Sequence, residues 1–420
     1  MVTQQHGDFR RPETFAHALS RAAIDDDSMR RRHGPLLEIG RKLLGVVPNC
    51  DPYLEIWPTA FTTYNLLVPN LLNVPTLLRK SYRLRKTVGL VVYTSSRAAG
   101  CMYCSAHACT FALRRGVDPY KILLATRQPA AVEVYSEAEQ AAIEVADSLG
   151  RVPSTLTDAQ RDALWRTHSP GNVEWLVLAI GLMGWLNKFM DTMTIPLEES
   201  LLTPAGRVIG ASGWVPGKHL PAGASPPSAE PGEVDEPTDT LSTLLGMVPL
   251  LPTVIWRTSR WMAGVPGGRN ALRRHLLDRT GHDFPVLVKL RHRRARKALA
   301  TVLLHNADPR KGVIGMPAKA LAGLTFAHLV GNPTLIRTAQ AIGARAGLTP
   351  AQLAGHFAGL SEMEVAAVEM ARAASTSPSE ITPDLVAGVT SRMSPAAVIE
   401  LTSWLSVMQL LHRLQTFYGD

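Results

Sequence analysis

Arg97-Ala-Ala-Gly-Cys101-Met-Tyr-Cys104-Ser-Ala-His107 sets two thiols three residues apart and an imidazole three further on. An apolar run, Val88-Gly-Leu-Val-Val-Tyr93, precedes it, and Arg114-Arg115-Gly116 closes the pattern as a helix end with basic charge at the negative dipole end. On a helix, steps of about 100° place Cys104 about 60° from Cys101 and His107 about 60° beyond that. Cysteines at i and i+3 are neighbours, at a Cα separation that a disulfide tolerates. Gly100 in front sets Cys101 near a helix N-terminus, where the dipole lowers thiol pKa. An imidazole one turn past Cys104 can take its proton or hold its thiolate. The spacing therefore suits a dithiol–disulfide cycle. Two other readings stay open on these residues: small buried core cysteines, or zinc on Cys101, Cys104, His107 and a remote fourth ligand. Against zinc, the chain has no second CxxC, and Cys109 points away from Cys104. A c-type haem needs His where Ser105 stands. Cys50, beside Asp51-Pro52, reads as a structural cysteine.

Outward from that stretch, the chain resembles itself. Leu43-Leu-Gly-Val-Val-Pro48 recurs as Leu244-Leu-Gly-Met-Val-Pro249, each followed by a Trp (Trp57, Trp256). Ser136-Glu-Ala-Glu139 recurs as Ser361-Glu-Met-Glu364, both of them capping boxes. The apolar segments 173–189 and 398–414 close the two halves, and Ser169 before Pro170 reads as an N-cap with a proline in the first turn. So long a period means a duplicated domain rather than a solenoid. With Gly116 set against Gly347 and Gly100 against Gly331, Cys101 falls opposite Asn332, Cys104 opposite Leu335 and His107 opposite Thr338. The second half lacks the thiols and the imidazole. The expected organisation is a polar leader over 1–30, a CxxC domain over 31–212, a Pro/Gly-rich linker over 213–238 and a degenerate second copy over 239–420. Little alternates with period two, and the expected fold class is all-α, with two tandem helical domains.

Composition sets the outer bounds. The chain has 420 residues, 46% of them apolar and only 6% aromatic, which allows a large core and favours helix over strand. The longest uninterrupted apolar run, Trp175 to Leu186, is too short for a membrane span of about 20 residues, so no membrane partner is expected. Four cysteines, no disulfide framework and no apolar leader make the cytoplasm the expected compartment. The net charge of +9 points to anionic partners. Its densest source, Lys289-Leu-Arg-His-Arg-Arg-Ala-Arg-Lys297, has no aromatic interleaving, so a solvated face or an acidic partner is favoured over nucleic acid. A similar run, Arg79 to Lys86, precedes the CxxC helix. His168, His328 and His356 read as ordinary histidines beside apolar helices, and Trp175 with Trp185 as core.

With these residues in view, the stretch from Arg97 to His107, entered from an apolar helix, resembles the alkylhydroperoxidase D-like/carboxymuconolactone decarboxylase family. The helices from Ser136 and over 175–189 look like that family's C-terminal part. The resemblance covers about residues 35–200, and 240–420 as a degenerate copy. It implies an all-helical, thiol-dependent peroxidase or disulfide reductase in which Cys104 attacks a hydroperoxide and Cys101 resolves the sulfenic acid as a disulfide. His107 would accept the proton, and an external dithiol reductant would reset the pair. No metal or organic cofactor is implied, and the family's habit of oligomerising extends to a homo-oligomer here. Two positions depart from the pattern: Gly89 stands where the family has a relay Glu, and Ala108 where it has the imidazole, which has moved to His107. Lys86, Arg97, Tyr93 and Tyr103 are the nearby polar side chains that could compensate. The competing expectation is a non-catalytic scaffold or ligand-binding protein that keeps the fold with vestigial cysteines.

Overall fold

The computed structural model describes residues 13–79, 82–126, 132–228 and 241–419, and every regular element among them is helical. The first half contributes α1 (Phe15–Leu19), α2 (Asp26–Leu44), α3 (Pro58–Leu71), α4 (Arg85–Ala98), α5 (Met102–Arg114), α6 (Glu137–Gly150), α7 (Asp158–Thr167), α8 (Pro170–Met193) and α9 (Glu199–Ile209). The second contributes α10 (Leu251–Trp261), α11 (Arg293–Asn306), α12 (Met316–Leu329), α13 (Pro333–Arg345), α14 (Glu362–Ser375), α15 (Pro383–Arg392) and α16 (Pro395–Tyr418).

The repeat is visible in the elements themselves. The helices α4 and α12 both have 14 residues, α5 and α13 have 13, α6 and α14 have 14, α7 and α15 have 10, and α8 and α16 have 24. Their caps correspond as well. Ser136 and Ser361 close reciprocal capping boxes with Glu139 and Glu364, and Ser169 and Ser394 cap α8 and α16 ahead of a proline. Gly100, Gly116, Gly331 and Gly347 all turn left-handed, as a chain leaving one helix for the next requires. Cys101 and Asn332 are equivalent N-caps, each accepting from the amide three residues on.

Part of the sequence likeness is local only. Trp57 is 3% exposed at the start of α3, whereas Trp256 is 57% exposed on α10 with the Arg260 guanidinium over its ring. The helix that matches α3 in length and packs directly on it is α11, not α10. The two tryptophans are therefore not equivalent.

The halves share one hydrophobic core. The two 24-residue helices α8 and α16 pack along each other at its centre. The α8 helix is long and apolar enough to cross a membrane, but 89% of its apolar window is buried in the protein. The interface is quasi-symmetric. From α8, Lys188 reaches Thr376 O beyond α14, and from α16, Arg413 reaches Gly150 O at 3.2 Å at the end of α6. Arg294 and Asn70 also bond across α11 and α3, and the amides of Arg291 and His292 bond the Glu174 carboxylate at 2.7 and 2.8 Å. Of the densest basic run, the Arg294 side chain and the backbone of Arg291 and His292 join the halves, while Lys289, Arg291 and Arg293 keep exposed side chains.

Two expected segment boundaries need correction. Residues 13–30 are no loose leader, since Phe15, Ala16, Leu19 and Met29 are buried in the core. Within the expected linker, Trp214 is buried with its indole nitrogen donating to Met102 O at 3.1 Å, and His219 is 1% exposed. Residues 1–12 and 229–238 of these two segments lie outside the described residues.

Candidate functional site

Cys101 sits where α4 ends and α5 begins. Gly100 makes the left-handed turn, Cys101 is extended, and its sulfur accepts from the Cys104 amide at 3.4 Å. Both thiols are free and buried, and the two cysteines approach to about 3.3 Å. They face different surroundings. Cys104 lines an apolar cavity together with His107, Tyr103, Tyr64, Phe111 and Met183, while Cys101 lies behind it, away from the cavity. The structure therefore brings together all three residues expected from the motif. Of the side chains expected to replace the relay Glu, Tyr103 lies at the site, and Arg97 turns instead to Ser212 O at 3.2 Å.

A carboxylate does meet His107, but it comes from far along the chain. His107 Nε2 lies 2.7 Å from Glu198 Oε2, at the N-terminal edge of α9. The Tyr103 hydroxyl donates to Glu198 Oε1 at 2.9 Å, and the Asn49 amide donates to the same oxygen. Burial alone would raise the Glu198 pKa, but the charge and hydrogen bond of His107, with the Asn49 amide, hold it below the usual range. Position 89 itself has no room: a Cβ on Gly89 would lie 3.0 Å from the Ala112 Cα, because α4 and α5 pack there backbone to backbone.

Behind Cys101 stands a second imidazole–carboxylate pair. His219 Nδ1 lies 2.7 Å from Ile195 O, which leaves Nε2 toward Asp191 Oδ1 at 3.6 Å. Cys101, Asp191 and His219 each offer an atom within 4.8 Å of the other two. Lys218 Nζ already rests on Asp191 Oδ1 at 2.9 Å, so the set is held by cations of the protein itself. A soft metal would have to displace that ammonium, and the arrangement fits charge and proton handling better. Burial opposes ionisation of Cys101, but the Cys104 thiol and His219 stabilise the thiolate and bring it down to about 6. The same burial and the adjacent Cys101 sulfur push Cys104 well up. Burial would lower His219, yet Asp191 and Cys101 raise it to about 9. Asp191 is held at about 2 against its burial by His219, Lys218 and the Ser379 amide.

The second half closes this wall. Ser379 donates its amide to Asp191 and accepts from Lys218 at 3.2 Å, and Pro378 packs so tightly on Gly100 that a Cβ there would lie 2.8 Å from its Cδ. In the second half the matching places hold Asn332, Leu335 and Thr338, with the Asn332 amide against His412 Nδ1 at 3.1 Å.

The motif did not point to Glu198, Asp191 or His219. Asp191, beside Lys188 in an otherwise apolar helix, carried a usable signal, since buried charges demand partners. His219, in a Pro/Gly-rich stretch, carried none.

No family model matches the sequence, and no curated protein matches it. Among solved structures, it is similar to the debrominase Bmp8 in its apo form, with 23% identity and a TM-score of 0.37 over 43% of this chain and 92% of that one. A variant of the same debrominase in complex with 2,3,4-tribromopyrrole gives 22% identity and a TM-score of 0.38 over 43% of this chain and 91% of that one.

Proposed function

We propose that the protein is a thiol-dependent peroxidase or disulfide reductase, related to the alkylhydroperoxidase D-like family, working through Cys101 and Cys104. The observation that carries the reading is the pair of free, touching thiols at a helix N-terminus, with Cys104 facing a cavity beside His107 and Glu198.

In this reading Cys104, as the thiolate, attacks the distal oxygen of a hydroperoxide. The O–O bond breaks, the sulfur becomes sulfenic acid, and His107 donates a proton to the leaving alkoxide. Cys101 then attacks the sulfenic sulfur, forming the disulfide and releasing water. An external dithiol reduces that disulfide by exchange and is itself oxidised. The cavity walls, chiefly Leu44, Val68, Leu72, Phe111, Leu182 and Met183, favour an organic hydroperoxide over hydrogen peroxide. The cavity beside Cys104 also favours the enzyme over a scaffold with vestigial cysteines, for which buried thiols need no adjoining space.

The test is stoichiometric oxidation with cumene hydroperoxide. The protein should consume one equivalent and lose two hydrogens in its intact mass, and a dithiol should regenerate it. Cys104→Ser should abolish consumption. An unchanged mass, with no peroxide consumed, sinks the reading.

A further inference from the structure

We infer that His219 and Asp191 form a second catalytic pair behind the dithiol, holding Cys101 as the resting thiolate so that Cys104 gives its proton to Cys101. This deepens the peroxidase reading and rests on it for the chemistry. The charge state of Cys101 can be measured without it.

The geometry carries the inference. Cys101 is buried and sealed from the cavity, so nothing in its position suits it to meet a hydroperoxide first. Yet it is the thiol with an imidazole and a carboxylate aimed at it. His219 is fixed from one side by Ile195 O, which accepts a hydrogen bond from Nδ1–H and so leaves Nε2 to face the sulfur. Its Nε2 is buried and, among the described residues, has Cys101 Sγ and Asp191 Oδ1 as its polar neighbours. Asp191 is in turn oriented by Lys218 and the Ser379 amide. This is the nucleophile–base–orienter order that activates a thiol, assembled from α8, the turn at 217–219 and the second half of the chain.

The cations around the sulfurs favour the thiolate, and the Asp191 charge, which acts on Cys101 directly, opposes it. Cationic Lys188, Lys218 and Arg413 surround the pair, and Asp191 is the anion among them. The Tyr103 ring lies 5.9 Å from the His219 ring, and Cys104 offers its thiol hydrogen to Cys101. Glu198 and Cys50 lie on the cavity side. Burial and the neighbouring sulfur keep Cys104 protonated, so its thiolate must be made on demand, and the nearest base is the Cys101 sulfur.

The proton count then closes. The Cys104 hydrogen passes to Cys101, and the Cys104 thiolate reduces the peroxide O–O bond. The Cys101 hydrogen leaves with the sulfenic hydroxyl as water when the disulfide forms. With its anionic partner gone, His219 releases one proton, which replaces the one that His107 gave to the alkoxide. One thiol hydrogen, one imidazolium hydrogen and ROOH thus give ROH, water and the disulfide. His107 acts on the oxygen side and His219 on the sulfur side.

The experiment is a pH titration of the reduced protein by ultraviolet thiolate absorbance, with circular dichroism as the folding control. The wild type should show one thiolate with a midpoint near 6. Cys101→Ser should remove it. His219→Gln should raise the midpoint by about 1–2 units, and Asp191→Asn should move it much less, because the Asp191 charge itself raises Cys101 while Asp191 supports the His219 that lowers it. A thiolate that survives in Cys101→Ser, or an unmoved midpoint in folded His219→Gln, overturns the inference. Should His219→Gln not fold, the labelled imidazole of wild-type His219 decides. It should stay protonated to about pH 9 in the dithiol and lose its proton in the disulfide, and equal titration in both forms overturns the inference. A normal midpoint with no hydroperoxide consumption would instead remove the peroxidase reading and leave this one standing.

Discussion

His107 Nε2 and Glu198 Oε2 meet at 2.7 Å across 91 positions of the chain, which puts an imidazole–carboxylate pair beside the cavity although the helix before the cysteines supplies no carboxylate. The Tyr103 hydroxyl and the Asn49 amide hold the same carboxylate, so its orientation does not depend on His107 alone.

Glu198→Gln keeps the shape and removes the charge. We expect the second-order rate with cumene hydroperoxide to fall by about 10²-fold, in line with the loss of a positioned acid–base group. Stopped-flow consumption assays read this directly. The midpoint of Cys101 should not move, because Glu198 faces Cys104. An undiminished rate would take the pair out of the chemistry.

A carboxylate introduced at position 89 should not be accommodated. A Cβ there meets the Ala112 Cα at 3.0 Å and the Val117 Cγ2 at 3.1 Å. Gly89→Ala should cost about 1–3 kcal/mol by overpacking, and Gly89→Glu more, since it also buries a charge. Urea midpoints would rank them, and a Gly89→Glu protein as stable as wild type would refute the close approach of α4 and α5.

Arg413 is buried and bonds Ser95 Oγ at 2.7 Å, Ile180 O at 3.0 Å and Gly150 O at 3.2 Å. Arg413→Met leaves those acceptors dry and should cost about 1–3 kcal/mol for each one left unpaired. Arg413→Lys should recover part of that. Because the acceptors lie in the first half and the arginine in the second, denaturant unfolding of the whole chain should shift as one transition. Separate transitions for the halves would count against a shared core.

Asp51 gives a pH signature. Burial and the nearby Glu198 charge push its carboxyl up to about 8, from 3.8 in an unfolded chain. A raised acid pKa favours the fold while the group is protonated in it. That contribution is complete below about pH 4 and is lost as pH climbs through 8. Asp51→Asn removes the loss, at about 1.4 kcal/mol for each pKa unit. Melting temperatures measured from pH 5 to 9 should show the variant gaining on wild type as pH rises. A gap constant with pH would mean that Asp51 is ionised in the fold.

The helical class and the repeat were legible because their causes are local. Ser136 with Glu139, Ser361 with Glu364, and the glycines at 100, 116, 331 and 347 act within one turn of themselves, so each half carries the same marks in its sequence. Local likeness also misled. The Leu43–Pro48 motif and its echo at Leu244–Pro249 lead to tryptophans in unrelated settings, one buried on α3 and one exposed on α10. A hexapeptide match holds no information about what packs on it. The segment from Gly213 onward reads as linker by composition, but composition could not show that Trp214 and His219 turn inward.

By itself the sequence determined that the chain is helical, that a run of helices recurs along it, and that two cysteines stand one helical turn apart in the first run alone, because propensity, capping and i, i+3 spacing are properties of neighbours along the chain. Only the tertiary structure decided which thiol meets the cavity, which is surrounded by charge, and which carboxylates serve the two histidines. Glu198, Asp191 and His219 reach the cysteines by long loop closures and by packing against the second copy, and a pKa depends on what is near in space rather than in sequence.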